Sequence, residues 1–417
     1  MDLNNGAGAH GKTLNWMFTL AKGVDIPAGE DLSSLSPSQA AVCRNYAAKK
    51  FAENVGETQE TGPAILQHME GFVRAESALA LYRSGAMGSE DFVKFVSSHN
   101  VPSYLHDYYL GIDHYKSGRV EQAYAAFDRA RVTCSPMVLK YMRYFEGSIR
   151  GAMSARPLSY LQSAFANFDG ETIEATFPIE IPSEIPTDKP IHVVGCDFAY
   201  WGKYAALFNA WAAKLQEVAH ICVVCVNFTD EQIRSVRASH PDLLIARCSA
   251  TFTNQRPFYT MARFLVAQRL MGPGRWAVTC SDIDCFIEAG RYLEFISNQP
   301  DGASTTFSRG WFPWRSVGAE FTLWKGQDGW NMLSCMASYF VEVFDPNIPA
   351  GNRQWWVDQF PIAMFADATE LGLSSIDPRL RRFHPTARAA LPIKGPGDFR
   401  ISKEEFAQRY GGGSVSK

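Results

Sequence analysis

The chain has 417 residues, 46% of them hydrophobic and 20% charged, with a formal net charge of −3 at pH 7, the makeup of a globular protein long enough for two domains. So small a net charge removes the electrostatic case for nucleic acid as a partner. No run reaches the ~20 apolar residues of a membrane span, and the first residues, MDLNNGAGAHGK, lack the basic-then-apolar layout of a secretion signal, so a cytoplasmic protein with no membrane span is expected.

Residues 1–34 are rich in Gly and polar residues without a period, and they are expected to be poorly ordered. From 35 to 176 apolar residues recur at spacings of three and four. This predicts an all-α, repeat-like N-terminal domain with helices over Ser38–Asn54, Pro63–Arg83, Glu90–Ser98, Ser103–Lys116, Val120–Arg131 and Pro136–Ile149. The tetrapeptide at Tyr82–Gly85 returns in near copy at Tyr115–Gly118, 33 residues later. The second copy resembles a tetratricopeptide repeat: Leu110-Gly111, Ala123, Phe127 and Ala130 stand where that pattern lets paired helices approach, while Asp107 replaces its usual aromatic. Such an array binds another protein or packs on its neighbour, and the residues leave both open.

Four prolines in Phe177–Pro190 read as an extended linker over 177–190. Beyond it strands alternate with helices: Ile191–Cys196, Lys203–Val218, Ile221–Asn227, Asp230–Ser239, Leu243–Arg247, Phe258–Met271 and Trp276–Cys280. This pattern predicts an α/β domain over 191–400 with a mostly parallel, Rossmann-like sheet, whose ligands bind beyond the carboxyl ends of the strands. Residues 401–417 read as a tail. The nine cysteines include Cys222, Cys225 and Cys280 inside apolar runs, and they read as reduced. Cys222 and Cys225 have the spacing of a metal or redox pair, but residues three apart on a strand face opposite ways.

Asp282-Ile283-Asp284 closes the fourth predicted strand. Residues i and i+2 share a face there, so two carboxylates enter one cleft and repel unless a cation joins them. Hard oxygen donors suit Mn²⁺ or Mg²⁺, and two protein ligands leave positions open for phosphate oxygens. A polar strand-to-loop turn is the plain alternative.

Phe258 to Phe264, then a helix, a Gly-containing turn and the segment Trp276–Asp284 resemble the donor site of GT-A-fold nucleotide-sugar glycosyltransferases, nearest the glycogenin and lipopolysaccharide galactosyltransferase family. Trp355-Trp356-Val357-Asp358-Gln359 is similar to that family's Asp-Gln site, and Ile393-Lys394-Gly395 to its Lys-Gly diphosphate contact. The resemblance covers about 191–397. It implies transfer of a sugar from a nucleotide-diphosphate donor to a glycan, lipid-linked or protein acceptor. It places Asp282 and Asp284 on the metal with His384 as a candidate third ligand, although His384 lies ten residues before Lys394 rather than the family's five or so. Asp197, Tyr259, Arg263, Asp282 and Lys394 would serve the donor, with a helix cap as the alternative for Asp197.

The same likeness puts Asp358 and Gln359 in the sugar pocket. A same-face displacement with retention follows if Gln359 faces the anomeric carbon; inversion follows if Asp358 acts as base. Trp311 and Trp314 are the candidate acceptor platform, since flat rings stack on sugars, or else they are core. The Ser316–Glu320 segment departs from the family's pattern for the donor sugar. The rival readings are a haloacid-dehalogenase-like phosphatase, a nucleotidyltransferase and an inactive helical-repeat scaffold.

Overall fold

The computed structural model describes residues 81–98, 103–134, 156–272, 275–347 and 356–411, together with Ala75, Ala78 and Leu79. The chain forms two compact units that meet in sequence between Pro157 and Leu158. The helices expected over Ser38–Asn54 and Pro136–Ile149, most of Pro63–Arg83, and residues 1–34 and 412–417 lie outside the described residues. Among those described, no helix is long and apolar enough to cross a membrane.

The described part of the first unit holds α1 (Ser89–Ser98), α2 (Ser103–Lys116) and α3 (Val120–Thr133). The small residues do what the spacing implied. A Cβ on Gly111 would stand 2.7 Å from the Phe127 ring, so only glycine lets α3 seat that ring on α2. Ala123, Phe127 and Ala130 are all fully buried. Asp113, also fully buried, accepts hydrogen bonds from Tyr82 (2.9 Å), Ser89 (2.5 Å) and Arg119 (2.5 Å), which satisfies an otherwise costly charge. Asp107, the departure from the repeat pattern, pairs with Arg129 at 2.9 Å.

The second unit starts earlier than the expected linker. Two short helices, α4 (Tyr160–Ala166) and α5 (Gly170–Thr176), belong to it, and β1 (Ile179–Glu180) pairs antiparallel with β4 (Leu244–Cys248). The prolines do not keep the segment off the domain, because an edge strand of two residues needs few backbone donors. Then follow β2 (Ile191–Asp197), α6 (Phe198–Gln216), β3 (His220–Val226), α7 (Asp230–Ser239), β4, α8 (Gln255–Met271) and β5 (Ala277–Asp282). The remainder is β6 (Phe286–Ile287), α9 (Ala289–Asn298), β7 (Gly302–Thr305), β8 (Phe321–Lys325), α10 (Gly326–Val343), α11 (Gln359–Leu371), β9 (Phe383–Pro385), β10 (Ile393–Lys394), α12 (Pro396–Phe399) and α13 (Lys403–Gly411).

Eight strands form one sheet in the order β1-β4-β3-β2-β5-β8-β7-β9, with β6 and β10 as a separate pair. The β4-β3-β2-β5 block is parallel, and β8 runs against it. The chain leaves β2 toward β3 and β4, then returns to the other side of β2 for β5. The order therefore reverses between β2 and β5, and the crevice at their carboxyl ends is where such a sheet takes a ligand. Asp282 sits there, in register with Gly195.

Behind that edge His192 on β2 is fully buried, with Nδ1 2.8 Å from Thr279 Oγ1 and Nε2 3.1 Å from Ser281 Oγ, both on β5. Burial pulls its pKa down to about 3, so the imidazole is neutral in the fold. The eight described cysteines are buried and none is in a disulfide, and burial pushes the Cys225 thiol up to about 12, as an inert side chain of the sheet.

A neutral folded His192 makes the unfolded state the better proton binder from about pH 6.5 down to 3. Stability contributed by this site is therefore complete above pH 6.5 and falls as the pH drops, by roughly 1.4 kcal/mol per unit. Urea unfolding of His192→Gln against wild type at pH 7 and pH 5 is expected to show the gap between the two narrowing at the lower pH. An equal gap at both would mean the imidazole charges freely in the fold.

Candidate functional site

At the carboxyl edge of β5 lies an open pocket of about 480 Å³, lined by Asp282, Asp284, Glu320, Arg388, Asp398 and Lys403 together with Cys285 and the Gly395–Gly397 turn. The volume is in the range of small-ligand sites. Both acids expected at the strand end do enter one cleft. Asp282 is the last residue of β5 and Asp284 lies in the turn that follows, which the Cys285 amide closes on the Asp282 carbonyl at 3.2 Å, so the plain strand-to-loop alternative describes the backbone while both side chains line the pocket.

Each acid has its own cation. Arg263, on α8 and 5% exposed, meets Asp282 Oδ1 through Nη1, while its Nη2 donates to the Ala319 carbonyl at 2.9 Å and reaches Asp358 Oδ2 at 3.4 Å. Burial alone would lower the pKa of this guanidinium, but the two carboxylates outweigh it and hold the charge firmly on. Asp358 is pushed up to about 6, by burial first and then by Asp282, with Arg263 pulling the other way. Asp284 is paired with Lys403 of α13. Burial, and next the Asp282 charge, raise the Asp284 carboxyl above the usual range, against the pull of Lys403.

On the far wall Arg388 forms a two-point pair with Asp398 (2.8 and 2.9 Å) and donates to Glu320 Oε1 at 2.6 Å. Asp398 in turn accepts the Gly395 amide at 2.6 Å. Glu320 is raised by burial first, and by Asp282 as well. Four carboxylates thus face two cations around the pocket, an excess of two negative charges. Arg263 and Asp358 behind the wall cancel each other and leave that excess in place.

Other expected residues take different positions. Asp197 caps α6, accepting the Tyr200 amide at 2.7 Å, so the cap alternative describes its side chain. Tyr259 donates to Gln255 at 2.9 Å, on the first turns of α8. Its hydroxyl is held protonated by burial, with the nearby Asp197 charge adding to the effect. Asp358 reaches the site only through Arg263, and Gln359 is the half-buried first residue of α11.

Lys394 pairs with Glu288 at 2.9 Å and does not line the pocket. Ile393 takes the buried position of β10, so alternation turns Lys394 the other way. His384 is bonded through Nε2 to the Asp301 carbonyl at 2.9 Å. Register carries it through Ser304 and Leu323 to Thr279, which puts it three strands, roughly 14 Å, from β5. His384 is thus not brought to the acid pair. Trp314 is fully buried and packs on Phe360 at 5.0 Å, so it is core and offers no face to a sugar. Trp311 is half-buried in the same loop, and Trp355 lies outside the described residues.

Glu320, Arg388, Asp398 and Lys403 were not singled out from the sequence. Lys403 lies in what read as a tail, yet α13 docks by Phe406, fully buried, and Tyr410, whose rings stand 4.7 Å apart. The signal was there: Ser402 Oγ accepts the Glu405 amide at 3.1 Å as a helix start, and Phe406 and Tyr410 follow at i and i+4.

No protein-family model matches the chain. A stretch of 52 residues is 38% identical to phloretin hydrolase of Eubacterium ramulus, covering 12% of this chain and 18% of that protein. So short a likeness shows neither a family nor an activity.

Arg263 joins two carboxylates, the buried Asp358 and the part-exposed Asp282. Arg263→Met is expected to cost about 3–5 kcal/mol in urea unfolding, because both acids lose their partner. Adding Asp358→Asn should recover a large part of it, and a loss below ~1 kcal/mol would show that the pair is not carried by this side chain.

Proposed function

We propose that the second unit is a nucleotide-sugar glycosyltransferase that binds its donor diphosphate in the pocket with the help of a divalent cation, Mn²⁺ or Mg²⁺, on Asp282 and Asp284. The observation that carries this reading is the charge balance at the switch point of the sheet. A lining with two negative charges in excess repels a diphosphate by itself, and a dication removes that excess.

The donor set fits a hard cation. Arg263 takes one oxygen of Asp282 and Lys403 one oxygen of Asp284, and each carboxylate keeps a second. Among the described residues no group of three or more His, Cys, Asp or Glu could hold a metal ion; in this reading the protein supplies two ligands and leaves the rest to the donor and water. Such a cation, when bound, neutralises charge that builds on the departing nucleoside diphosphate.

The chain's own residues divide the remaining work. Arg263 and Asp358 fix the Asp282 carboxylate and the Ala319–Glu320 turn beside it. Arg388, held on two carboxylates, is a rigid wall. Lys403, 54% exposed, is the cation free to meet a phosphate oxygen. A nucleotidyltransferase would use the same metal ion, and the labelled product separates the two.

Thermal melting of the full chain with UDP-, GDP-, CMP- and dTDP-sugars, with and without Mn²⁺, is expected to give one donor whose stabilisation needs the metal. At a hundred times Kd the gain is about 2.7 kcal/mol. Asp284→Ala should abolish that metal-dependent part. If no donor stabilises the protein, or the Asp284→Ala protein responds as wild type does, the reading fails.

A further inference from the structure

We propose that Lys403 is a placeholder cation: it occupies Asp284 while the pocket is empty of metal and gives that carboxylate up to a divalent ion, turning its ammonium to the donor diphosphate. This deepens the reading of the pocket given above and rests on it.

Of the two lining cations only Lys403 is built to move. Arg388 is tied by a two-point pair to Asp398 and by a third bond to Glu320. Lys403 has one carboxylate partner, a four-carbon stem, and a side chain 54% exposed, whereas its partner Asp284 is 7% exposed. The acid is therefore the fixed member of the pair and the lysine the mobile one. A compact ammonium on a flexible stem can exchange one oxygen partner for another with little loss.

The helix that carries Lys403 does not depend on this pair for its place. Phe406 is fully buried in the same apolar cluster as Trp201, Tyr204 and Phe208 of α6. Tyr410 packs on Phe286 and Phe399 at 5.4 and 5.6 Å, and Lys203 of α6 pairs with Glu404. The side chain can thus leave Asp284 while α13 stays docked.

Charge count gives the exchange a direction. With Lys403 on Asp284 the pocket carries two surplus negative charges. A dication on the acid pair removes them and competes with the ammonium for the same carboxylate. The displaced ammonium keeps the charge already counted and moves it from Asp284 to the incoming phosphates, so metal and diphosphate binding reinforce each other through one side chain.

The test uses the full chain and two probes, Mn²⁺ alone and UDP or GDP at saturating Mn²⁺, each followed by calorimetric titration. Lys403→Met removes the competitor and the phosphate contact together. It is expected to bind Mn²⁺ alone roughly three- to fivefold more tightly, as for a half-exposed ion pair. It should bind the nucleoside diphosphate about tenfold more weakly, as for one charge-assisted hydrogen bond. Lys403→Arg keeps the charge and should keep the Mn²⁺ affinity of wild type, and Lys403→Gln repeats both comparisons if the Met variant is unstable. A lysine that only anchors α13 would weaken both ligands when removed, and weakened or unchanged Mn²⁺ binding overturns the proposal. If wild type does not bind Mn²⁺, or Asp282→Ala and Asp284→Ala bind it as wild type does, the pocket reading itself falls and this inference with it.

Discussion

The second unit is organised around a buried guanidinium. Arg263 on α8 reaches the end of β5 at Asp282, the approach to β8 at the Ala319 carbonyl, and the start of α11 at Asp358. Desolvating an arginine is costly, and removing either acid would leave an uncompensated charge in a dry place. The three elements are thus bound to one another by a requirement of charge as well as by packing. Room for the arginine comes from β2: a Cβ on Gly195 would stand 3.3 Å from the Arg263 Cβ, so a glycine at this point of the strand lets α8 lie close. Gly195 is also the residue in register with Asp282. The same place in the sheet therefore admits the arginine and presents the acid.

From that constraint the pocket inherits an asymmetry. The inner wall is Asp282, 39% exposed to the pocket, held from behind by Arg263 and Asp358, which are 5% and 6% exposed. The outer wall is assembled from the last part of the unit, with Arg388, the Gly395–Asp398 turn and Lys403 all following β9 in the chain. An inner wall fixed by buried charge and an outer wall carrying one long exposed lysine make a site that holds its acids rigid while its cation can be redirected. Preorganised carboxylates with a mobile counter-charge suit a ligand that arrives with a metal and two phosphates.

Much of the parallel block was legible in the sequence, because strands buried on both faces read as unbroken apolar runs and their covering helices carry a 3.6-residue period. Ile191–Asp197, His220–Val226, Leu244–Cys248 and Ala277–Asp282 fall within one or two residues of the expected strands. Beyond β5 the strands shorten to two to five residues, β6 to β10, and a run of that length has no period to read. The Phe177–Pro190 segment misled for a related reason. Prolines argue against a central strand but not against the two-residue edge pairing that Ile179–Glu180 makes with β4.

The sequence by itself determined that acids would stand at the end of a buried parallel strand: Asp282 is the last residue of β5, and Asp284 follows two positions on, in the turn. It also determined which small residues, Gly111 and Ala123 among them, would admit the Phe127 ring between α2 and α3. Only the tertiary structure decided which cations face those acids. Arg263 precedes Asp282 by 19 positions and Lys403 follows Asp284 by more than a hundred, and no periodicity links residues that far apart. It likewise decided that Lys394 and His384 turn elsewhere and that Trp314 is core. Each depends on which face of a short strand or loop is covered, and that is set by neighbours remote in the chain.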